Sequence, residues 1–481
     1  MTESYKGPEI SDELGNLPIE SAAERNPISR GTFRNILEAI DGSAVEELAK
    51  HYETPLFVFS EKRVRSQART MRDAFQSRYP NTNFAWSFKT NRLDAICRIL
   101  QQEGWIAEVV SSFEYGKARH LGYAGEQIVF NGPYKRRDSI ERALREGALI
   151  QIDNWDELAT IESVAGELGG TYDVGVRVWL NSAHAPLWSK FGFNLANGEA
   201  FHAAQRIIET PALRLHTLHC HIGTYLLDPE AYRVTVQALL GLRKELHDDT
   251  GHLVSCLNLG GGFPSNSLLH GMPGPTEKTI PPIDAYADAI TSELAQLPKA
   301  EQPLLRLESG RYLVDEAGFL ITSIVATKGA AYLHRPGSPL ADLALKEKTL
   351  SGQPAKLSYV LDAGVNLLFT AAWFALNASP HRSVPGQLFP TRLLGDLCME
   401  IDVIREHINL PHLRVGDYLT LHPVGAYNFD QSMQFIHLRP AVVLIDEAGE
   451  PHLIRQREDI EYVESRERLP GHLDGGLDES G

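Results

Sequence analysis

Short apolar runs alternate with longer amphipathic stretches between residues 84 and 308. Several of the short runs are rich in β-branched residues, which is typical of strands that are buried on both faces of a parallel sheet. This pattern predicts eight strands, over Phe84–Phe88, Ile106–Val110, Ile128–Phe130, Leu149–Ile152, Val174–Trp179, Leu215–His221, Cys256–Leu259 and Leu304–Leu307. Helices are predicted between them, for example over Asp138–Glu146, Asp156–Leu168 and Glu230–His247. Eight strands that alternate with helices indicate an α/β fold, a parallel (β/α)8 TIM barrel.

The pattern changes after Arg311. The runs FLITSIVATKG, KLSYVLDAG, VGDYLTLHPVG and IHLRPAVVLIDEAG are bounded by Gly, Pro and Asp without helical periodicity between them, which predicts an all-β domain. The stretch before the barrel ends in YETPLFVFSE and could add a strand to that domain. The predicted order is a mobile N-terminal extension (1–30), strands that join the β domain (31–60), the barrel (61–318), the β domain (319–457) and a mobile tail (458–481).

Composition excludes several classes of protein. The chain has 46 Lys and Arg against 62 Asp and Glu, a formal charge of −16, so it would repel a phosphate backbone and nucleic acid is not an expected partner. No apolar run approaches the roughly 20 residues that a membrane-spanning helix needs. The first thirty residues are polar and acidic, unlike a secretory signal. The four cysteines form no CxxC pair, which argues against a disulfide framework or a zinc site and fits a cytoplasmic enzyme without a metal.

Candidate chemistry lies at the predicted strand ends, where a barrel of this type gathers its reactive residues. The residues at these ends are Lys89, Ser111, Asn131, His221, Gly260–Gly262 and Glu308. They include the parts of a pyridoxal 5′-phosphate (PLP) site: an amine, a glycine-rich backbone for the phosphate, an imidazole plane and an acid to face the pyridine nitrogen. A lysine that ends a buried strand has a partly desolvated amine, which would lower its pKa toward nucleophilic use.

Each of these residues also has an ordinary structural explanation when it is taken alone. Lys89 could be a surface lysine, the three glycines a tight turn, and His221 a core histidine. Glu308 could form an ion pair with Arg306 or Arg311. His219 and His221, two residues apart on one strand face, could be metal ligands of a barrel hydrolase, but no third ligand follows at a useful spacing.

Eight segments, taken in order over residues 50 to 440, resemble the fold-type III PLP decarboxylases, the family of diaminopimelate, ornithine and arginine decarboxylases. TPLFVFSE is similar to the opening strand, FAWSFKTN to the lysine motif YAVKAN, AEVVSSFEY to DVVSGGE, and HCHIGT to HCHIGS. LNLGGGFP follows, then ESGRYLV in place of EPGRxxV, GDLCMEIDV in place of GPxCESxDV and VGAYNFDQSM in place of GAYxxSM. The resemblance implies an alanine racemase-like barrel with a C-terminal Greek-key barrel-like domain.

The resemblance also implies roles for individual residues. Lys89 would bind the cofactor covalently, His221 would stack on its ring, and Glu308 would keep the ring nitrogen protonated. The residues implied around the phosphate are Gly261, Gly262, Thr224, Arg311 and Tyr427. Cys398, the implied acid at the substrate α-carbon, and Asp402 would come from the second subunit of a homodimer. A racemase on this fold would carry Arg opposite the nitrogen and a Tyr base in place of Cys398, and a non-catalytic homologue would lose the lysine or the cysteine.

The chain departs from the family in the substrate half of the site. Thr370 and Phe374 stand where diaminopimelate decarboxylases carry the arginine and tyrosine that grip the distal end of the substrate. Met399 replaces the glutamate of CES, with Glu400 one place later, and Ser309 replaces a proline. We therefore predict a main substrate other than meso-diaminopimelate, either another amino acid or a larger conjugate. The candidate substrate-binding residues are Asp402, Met399, Glu400, Thr370 and Arg392, with Arg382 as a further possible carboxylate ligand or a solvated loop arginine.

Overall fold

The structure, a computed structural model, describes residues 35–272, 279–329 and 357–473. It begins with four short elements, β1 (Ala39–Ile40), β2 (Ser43–Ala44), α1 (Val45–Tyr52) and β3 (Leu56–Ser60). The mobility predicted for residues 1–30, and for the tail beyond residue 473, concerns residues outside the described part of the chain.

Helices and strands then alternate through the barrel. They are α2 (Glu61–Gln76), β4 (Thr82–Ser87), α3 (Asp94–Gln102), β5 (Ile106–Val109), α4 (Ser112–His120), β6 (Ile128–Phe130), α5 (Arg137–Arg145), β7 (Leu149–Ile152), α6 (Trp155–Leu168), β8 (Tyr172–Trp179), β9 (Phe193–Asn194), α7 (Glu199–Glu209), β10 (Leu213–His219), α8 (Glu230–Thr250), β11 (Cys256–Asn258), α9 (Ile283–Ala295), β12 (Leu304–Ser309) and α10 (Arg311–Val314). Eight strands form the ring in the order β4-β5-β6-β7-β8-β10-β11-β12, and β12 pairs with β4 to close it. The predicted barrel is confirmed.

One predicted strand end is wrong in a way that matters for the site. Strand β10 ends at His219, so His221 lies in the loop beyond it and does not share a strand face with His219. The amide of Cys220 still donates to the carbonyl of Asn258 at 2.8 Å, but the backbone then turns toward the glycines at 260–262. There the side chain of His221 accepts a hydrogen bond from the amide of Gly261.

A separate β-rich domain follows the barrel, as predicted. Its elements are β13 (Gly318–Lys328), β14 (Leu357–Leu361), β15 (Asn377–Pro380), β16 (Phe389–Leu394), β17 (Val403–Leu410), β18 (Tyr418–His422), β19 (Ala441–Ile445), β20 (Pro451–Arg455) and a short helix α11 (Ile460–Glu464). Strand β13 is central, because it pairs with β14, β18 and β3. Strand β3 also pairs in parallel with β19, so the segment before the barrel is an integral strand of this domain.

Two apolar clusters stabilise the described residues. The larger is continuous through the barrel and into the β domain. The smaller lies between α1 and one face of the β sheet, and includes Val45, Leu48, Val58, Ile321 and Val443. No helix in the described ranges is long and apolar enough to cross a membrane.

Hydrogen bonds join the two domains at the segment that follows β4. The side-chain amide of Asn91 donates to the carbonyl of Gly425 at 3.1 Å, and the amide of Arg92 donates to Asp430 at 2.6 Å. The guanidinium of Arg92 lies 3.3 Å from the same carboxylate oxygen. Burial raises the pKa of Asp430 to about 6, and the opposing charges of Arg92, Lys117 and Arg439 only partly offset this effect.

We expect Ile321→Ala to lower the free energy of unfolding by about 2–5 kcal/mol, because it removes buried methyl and methylene groups and leaves a cavity in the smaller cluster. Val325→Ala is the matched control, since Val325 lies on the same strand but is 45% exposed. Urea denaturation followed by circular dichroism measures both variants. An equal loss of stability in the two would show that the smaller cluster contributes little.

Asp430 should make stability depend on pH in the mildly acidic range. Its pKa in the folded protein, about 6, lies above the ordinary 3.8, so the folded chain binds the proton more readily than the unfolded chain. The contribution of Asp430 to stability therefore falls as pH rises from about 4 to about 6, by up to about 3 kcal/mol at 1.4 kcal/mol per pKa unit.

Asp430→Asn should remove that dependence, so its stability relative to the wild type should rise over the same pH window and stay constant above it. Urea denaturation at several pH values checks this, with Asp156→Asn on the exposed start of α6 as the control. Parallel pH curves for the wild type and Asp430→Asn would contradict it.

Candidate active site

Lys89 lies in a 3-10 turn directly after β4, between the buried side chains of Phe88 and Thr90. Its Nζ donates to both carboxylate oxygens of Glu108, at 2.8 and 3.0 Å. Burial by itself would lower the pKa of Lys89, as the sequence suggested. The structure differs: the negative charge of Glu108, with smaller effects from Tyr427 and Glu308, outweighs burial and raises the pKa above its usual value. The amine is therefore held as an ammonium ion.

Glu108 is fully buried on β5 and was not predicted as a site residue. Ser87 donates to it at 2.5 Å and Asn131 at 3.0 Å, so three side chains compensate its buried charge. The signal available in the sequence was a glutamate within the apolar strand IAEV, in register with Ser87 two residues before the lysine.

Glu308 lies near the end of β12 and faces the barrel interior. Asn258 donates to one carboxylate oxygen at 2.6 Å, and Asn131 donates to the other at 2.9 Å. The Nε2 atom of His219 is 3.5 Å from that second oxygen. Burial would raise the pKa of Glu308, but His219, Lys89 and Asn258 together bring it below its usual value. Glu308 is thus a carboxylate held by amides and an imidazole rather than in an ion pair with Arg306 or Arg311.

His221 begins the loop after β10. Its Nδ1 accepts a hydrogen bond from the amide of Gly261 at 3.0 Å, which assigns the ring proton of the neutral form to Nε2. Burial, together with the positive charges of Lys89 and Arg177, lowers the pKa of His221 well below its usual value, so the ring is neutral. Trp188 contacts it edge-on, with ring centroids 5.3 Å apart.

The glycines at 260–262 form a turn that side chains would block. Gly260 and Gly262 have φ values of +64° and +102°. A Cβ on Gly260 would lie 2.4 Å from His221, one on Gly261 would lie 2.2 Å from the carbonyl oxygen of Glu308, and one on Gly262 would lie 2.5 Å from the carbonyl oxygen of Gly223. Free backbone of this kind lets amide groups approach an anion closely.

Arg311 and Tyr427 lie beside each other. The Arg311 guanidinium lies 4.4 Å from the ring centroid of Phe374 and 5.2 Å from that of Tyr427. The amide of Tyr427 donates to the carbonyl of Thr90 at 2.9 Å, so the β domain is fixed to the turn that carries Lys89.

Several buried polar atoms around the mouth of the barrel have no hydrogen-bond partner among the residues that the structure describes. Three of these atoms lie around Gly310, namely Thr90 Oγ1, Ser309 Oγ and Arg311 Nε. Deeper in the barrel, Asn131 Oδ1 and both ring nitrogens of His219 also lack a partner with hydrogen-bond geometry, although His219 Nε2 is close to Glu308. Buried polar groups are normally satisfied, so this set fits a bound molecule with an anionic end and a polar ring. PLP has both.

Other predicted residues have different surroundings. Thr224 is exposed in the loop after His221, and Ser111 caps α4 by accepting the amide of Glu114 at 3.2 Å. Cys398 is exposed between β16 and β17. Met399 beside it is half-buried and Glu400 is exposed.

The candidate substrate-binding residues mostly have partners within the chain. Asp402 accepts the amides of Val365 and Leu397 at 2.8 and 2.9 Å, so its carboxylate holds the loop that carries Cys398. Thr370 donates its hydroxyl to Asn428 at 2.9 Å.

Both candidate arginines have an acidic partner in the structure. Arg392 donates to Glu406 at 2.9 Å, and Arg382 donates to Asp417 at 2.7 Å. The sequence did not show these acidic neighbours, because Glu406 lies on the strand that pairs with that of Arg392 and Asp417 lies far along the chain from Arg382.

The cysteines and possible metal ligands complete the inventory of reactive groups. All four cysteines are unpaired, and Cys97, Cys220 and Cys256 are buried. No group of three or more His, Cys, Asp or Glu in the described ranges is placed to hold a metal ion. His219 instead lies beside Glu308, and His221 accepts a hydrogen bond from the amide of Gly261.

Comparison with known proteins agrees with this geometry. Residues 61–315, more than half of the chain, match the family described as pyridoxal-dependent decarboxylase, pyridoxal binding domain. The diaminopimelate decarboxylase of Bacillus subtilis (strain 168) is 28% identical over 438 residues, which cover 86% of this chain and 92% of that protein. That of Methanocaldococcus jannaschii is 29% identical over 450 residues, covering 90% and 95%.

The crystal structure of the M. jannaschii diaminopimelate decarboxylase superposes with a TM-score of 0.78 at 27% identity, and covers 93% of this chain and all of that one. The same domain pair is therefore present over nearly the whole length. The chain belongs to the fold-type III PLP-dependent decarboxylases, the diaminopimelate and ornithine decarboxylase group, and is a carboxy-lyase that uses PLP.

Proposed function

We propose that this enzyme decarboxylates an amino acid or an amino-acid conjugate, with Lys89 as the residue that binds PLP. The observation that carries the proposal is the hydrogen-bonded path from Lys89 through Glu108 and Asn131 to Glu308, which runs beside the glycine turn. This path supports an amine, an acid for the pyridine nitrogen and a phosphate site at the same end of the barrel.

The side chains suit the chemistry. When bound, PLP supplies an aldehyde that combines with amines and a ring that withdraws electrons from the substrate α-carbon. Glu308 would hold a proton at the ring nitrogen, and Asn131 and Asn258 fix the orientation of its carboxylate. Glu108 would hold the Lys89 amine in place by its two hydrogen bonds. A neutral His221 places no like charge beside the protonated ring.

Decarboxylation breaks one bond of the substrate and needs one proton to form the bond that replaces it. The bond between the α-carbon and the carboxyl carbon breaks and CO2 leaves, while the electron pair remains at the α-carbon. A proton then forms the new C–H bond. We assign its donor to the Sγ atom of Cys398, because this thiol is exposed on a loop that the buried carboxylate of Asp402 holds in place.

Cys398 would act in the barrel of a second copy of the chain. It lies beside a surface that we call the apolar face, formed by Phe369, Trp373, Ile401, Met433 and Ile436, all of them substantially exposed. Hydrogen bonds join the three segments of this face, from Met433 to the carbonyl of Asn366 and from Val365 to Asp402. Exposed apolar surface of this extent is typical of an interface.

The rim of the barrel offers a matching surface. Phe113 and Tyr134, which follow the neighbouring strands β5 and β6, are 63% and 76% exposed. In a two-fold dimer, the apolar face of each chain would lie on the rim of the other barrel. Both surfaces would then be buried in two equivalent contacts, as in other isologous interfaces. It would also bring each Cys398 to the partner barrel.

The relatives are named diaminopimelate decarboxylases, and the departure from them concerns the distal end of the substrate. The proposal of another main substrate depends on the side chains alone. Thr370 is buried and bonded to Asn428, and Phe374 covers Arg311, so neither offers a charge to a distal carboxylate. Loss of the partner of a buried charge costs on the order of 2–5 kcal/mol.

We expect the PLP-loaded protein to release CO2 from one member of a panel that contains lysine, ornithine, arginine, meso-diaminopimelate and 2,3-diaminopropionate conjugates. Lys89→Ala should abolish release, whereas Lys244→Ala, on an exposed helix face, should leave it unchanged. Meso-diaminopimelate as the best substrate would overturn the proposed change of substrate but not the reaction. Loss of the α-hydrogen with retention of the carboxylate would indicate a racemase instead.

The shared site predicts complementation between two inactive variants. Lys89→Ala and Cys398→Ala should each lose nearly all activity as pure dimers. When they are mixed and allowed to exchange subunits, they should recover about one quarter of the wild-type activity, because half of the dimers are hybrids with one intact site of two. Light scattering should show a dimer. Hybrid dimers without recovered activity would mean that each chain completes its own site.

A further inference from the structure

Asp315 is a buried carboxylate that neither the motifs nor the proposed mechanism uses. It follows α10, four residues after Arg311, and is 2% exposed. Its Oδ2 atom accepts hydrogen bonds from Ser265 at 2.5 Å, Ser267 at 2.9 Å and Arg311 at 3.3 Å. Its Oδ1 accepts the amide of Ala426 at 3.2 Å. Four donors thus converge on one side chain.

These donors come from the three segments that form the proposed phosphate site. The two serines lie three and five residues after Gly262, and Arg311 follows Gly310. Ala426 precedes Tyr427, and the neighbouring amide of Gly425 donates to the main-chain carbonyl of Asp315 at 3.0 Å. One residue therefore ties two barrel loops to the β domain at the place where the cofactor phosphate would lie.

The charge of Asp315 would oppose a phosphate, so its position needs a geometric reason. Arg311 gives only one N–H to Asp315, and its buried Nε has no partner in the described part of the chain. The two aromatic rings beside the guanidinium and the single bond to Asp315 fix its plane while this nitrogen stays available. A guanidinium that is already oriented loses less conformational entropy when it binds an anion.

From these contacts we propose that Asp315 is a positioning residue that assembles the phosphate site, acting through Arg311, the glycine turn and the Tyr427 segment. This inference rests on the proposed function, since it takes the glycine turn and Arg311 as the phosphate ligands. Asp315 itself does not contact the cofactor. Its effect should therefore appear in the affinity for the phosphate group and not in the affinity for the pyridine ring.

Asparagine cannot replace Asp315 here. If its oxygen faced the serines and Arg311, its NH2 group would meet the amide of Ala426, and if it were flipped, the NH2 group would meet the guanidinium. Either orientation sets donor against donor in a buried place. The change in phosphate affinity in Asp315→Asn therefore distinguishes two explanations. If Asp315 positions the site, the substitution weakens phosphate binding. If only its negative charge matters, the substitution strengthens phosphate binding.

The test compares PLP with pyridoxal, which lacks the phosphate. Full-length protein is stripped of cofactor, and the dissociation constants of both compounds are measured by absorbance titration. Asp315→Asn should raise the PLP constant about tenfold or more, the size expected for a lost charged hydrogen-bond network, and change that of pyridoxal less than about threefold. Asp362→Asn is the matched control, because Asp362 accepts two hydroxyls and one amide within the β domain.

Each outcome decides something. Unchanged or tighter binding of PLP by Asp315→Asn, or an equal loss for PLP and pyridoxal, would overturn the inference. A wild-type protein that forms no borohydride-reducible adduct at Lys89 would instead overturn the proposed function. If Asp315→Asn does not fold, Ser267→Ala removes one donor to Oδ2 and should weaken PLP binding by a few-fold while it leaves pyridoxal binding unchanged.

Discussion

Two carboxylates, Glu108 and Glu308, lie inside the same barrel, and burying both is possible only because other groups compensate their charges. Asn131 donates to both of them, Lys89 and Ser87 complete the shell of Glu108, and Asn258 with His219 completes that of Glu308. Removal of either acid would leave a buried cation or amides without partners. The arrangement therefore fixes side chains from β4, β5, β6, β10, β11 and β12 relative to one another.

The position of this network also explains why the β domain is needed. The chain passes through β3 in the β domain before it enters the barrel, and returns to that domain at β13 beside the same strand. The turn that carries Lys89 lies close to the segment from Gly425 to Asp430. This segment accepts a hydrogen bond from the side chain of Asn91, donates one to the carbonyl of Thr90 and forms an ion pair with Arg92. Lys89 is positioned from the barrel side by Glu108, and its turn is held from the other side by the β domain.

The eight barrel strands could be predicted from the sequence because each is buried on both faces. Such a strand appears as a short apolar run, which can be recognised within a single segment of the chain. The sequence did not predict Glu108, Asn258 or Asp315 as site residues, because their roles depend on register between strands and on loops far apart in the chain. Glu308 was identified only through its place at a strand end and the family motif around it. Strands β15, β16, β17 and β20 were not predicted, since β16, β17 and β20 expose several of their residues and β15 has only four.

The departures from the family motifs are uneven, and the structure gives a physical reason. His221 and the amide of Glu308 both bond to the glycine turn. Lys89 is linked to Glu308 through Glu108 and Asn131, so a change in one of these residues would disturb the others. Thr370 bonds to Asn428 and Phe374 packs against Arg311 of the barrel. Met399 and Glu400 lie on a loop whose shape Asp402 maintains by two backbone amides. Side chains on that loop can change without loss of a buried partner. In the proposed dimer this loop faces the substrate, so substrate choice can diverge while the cofactor site stays fixed.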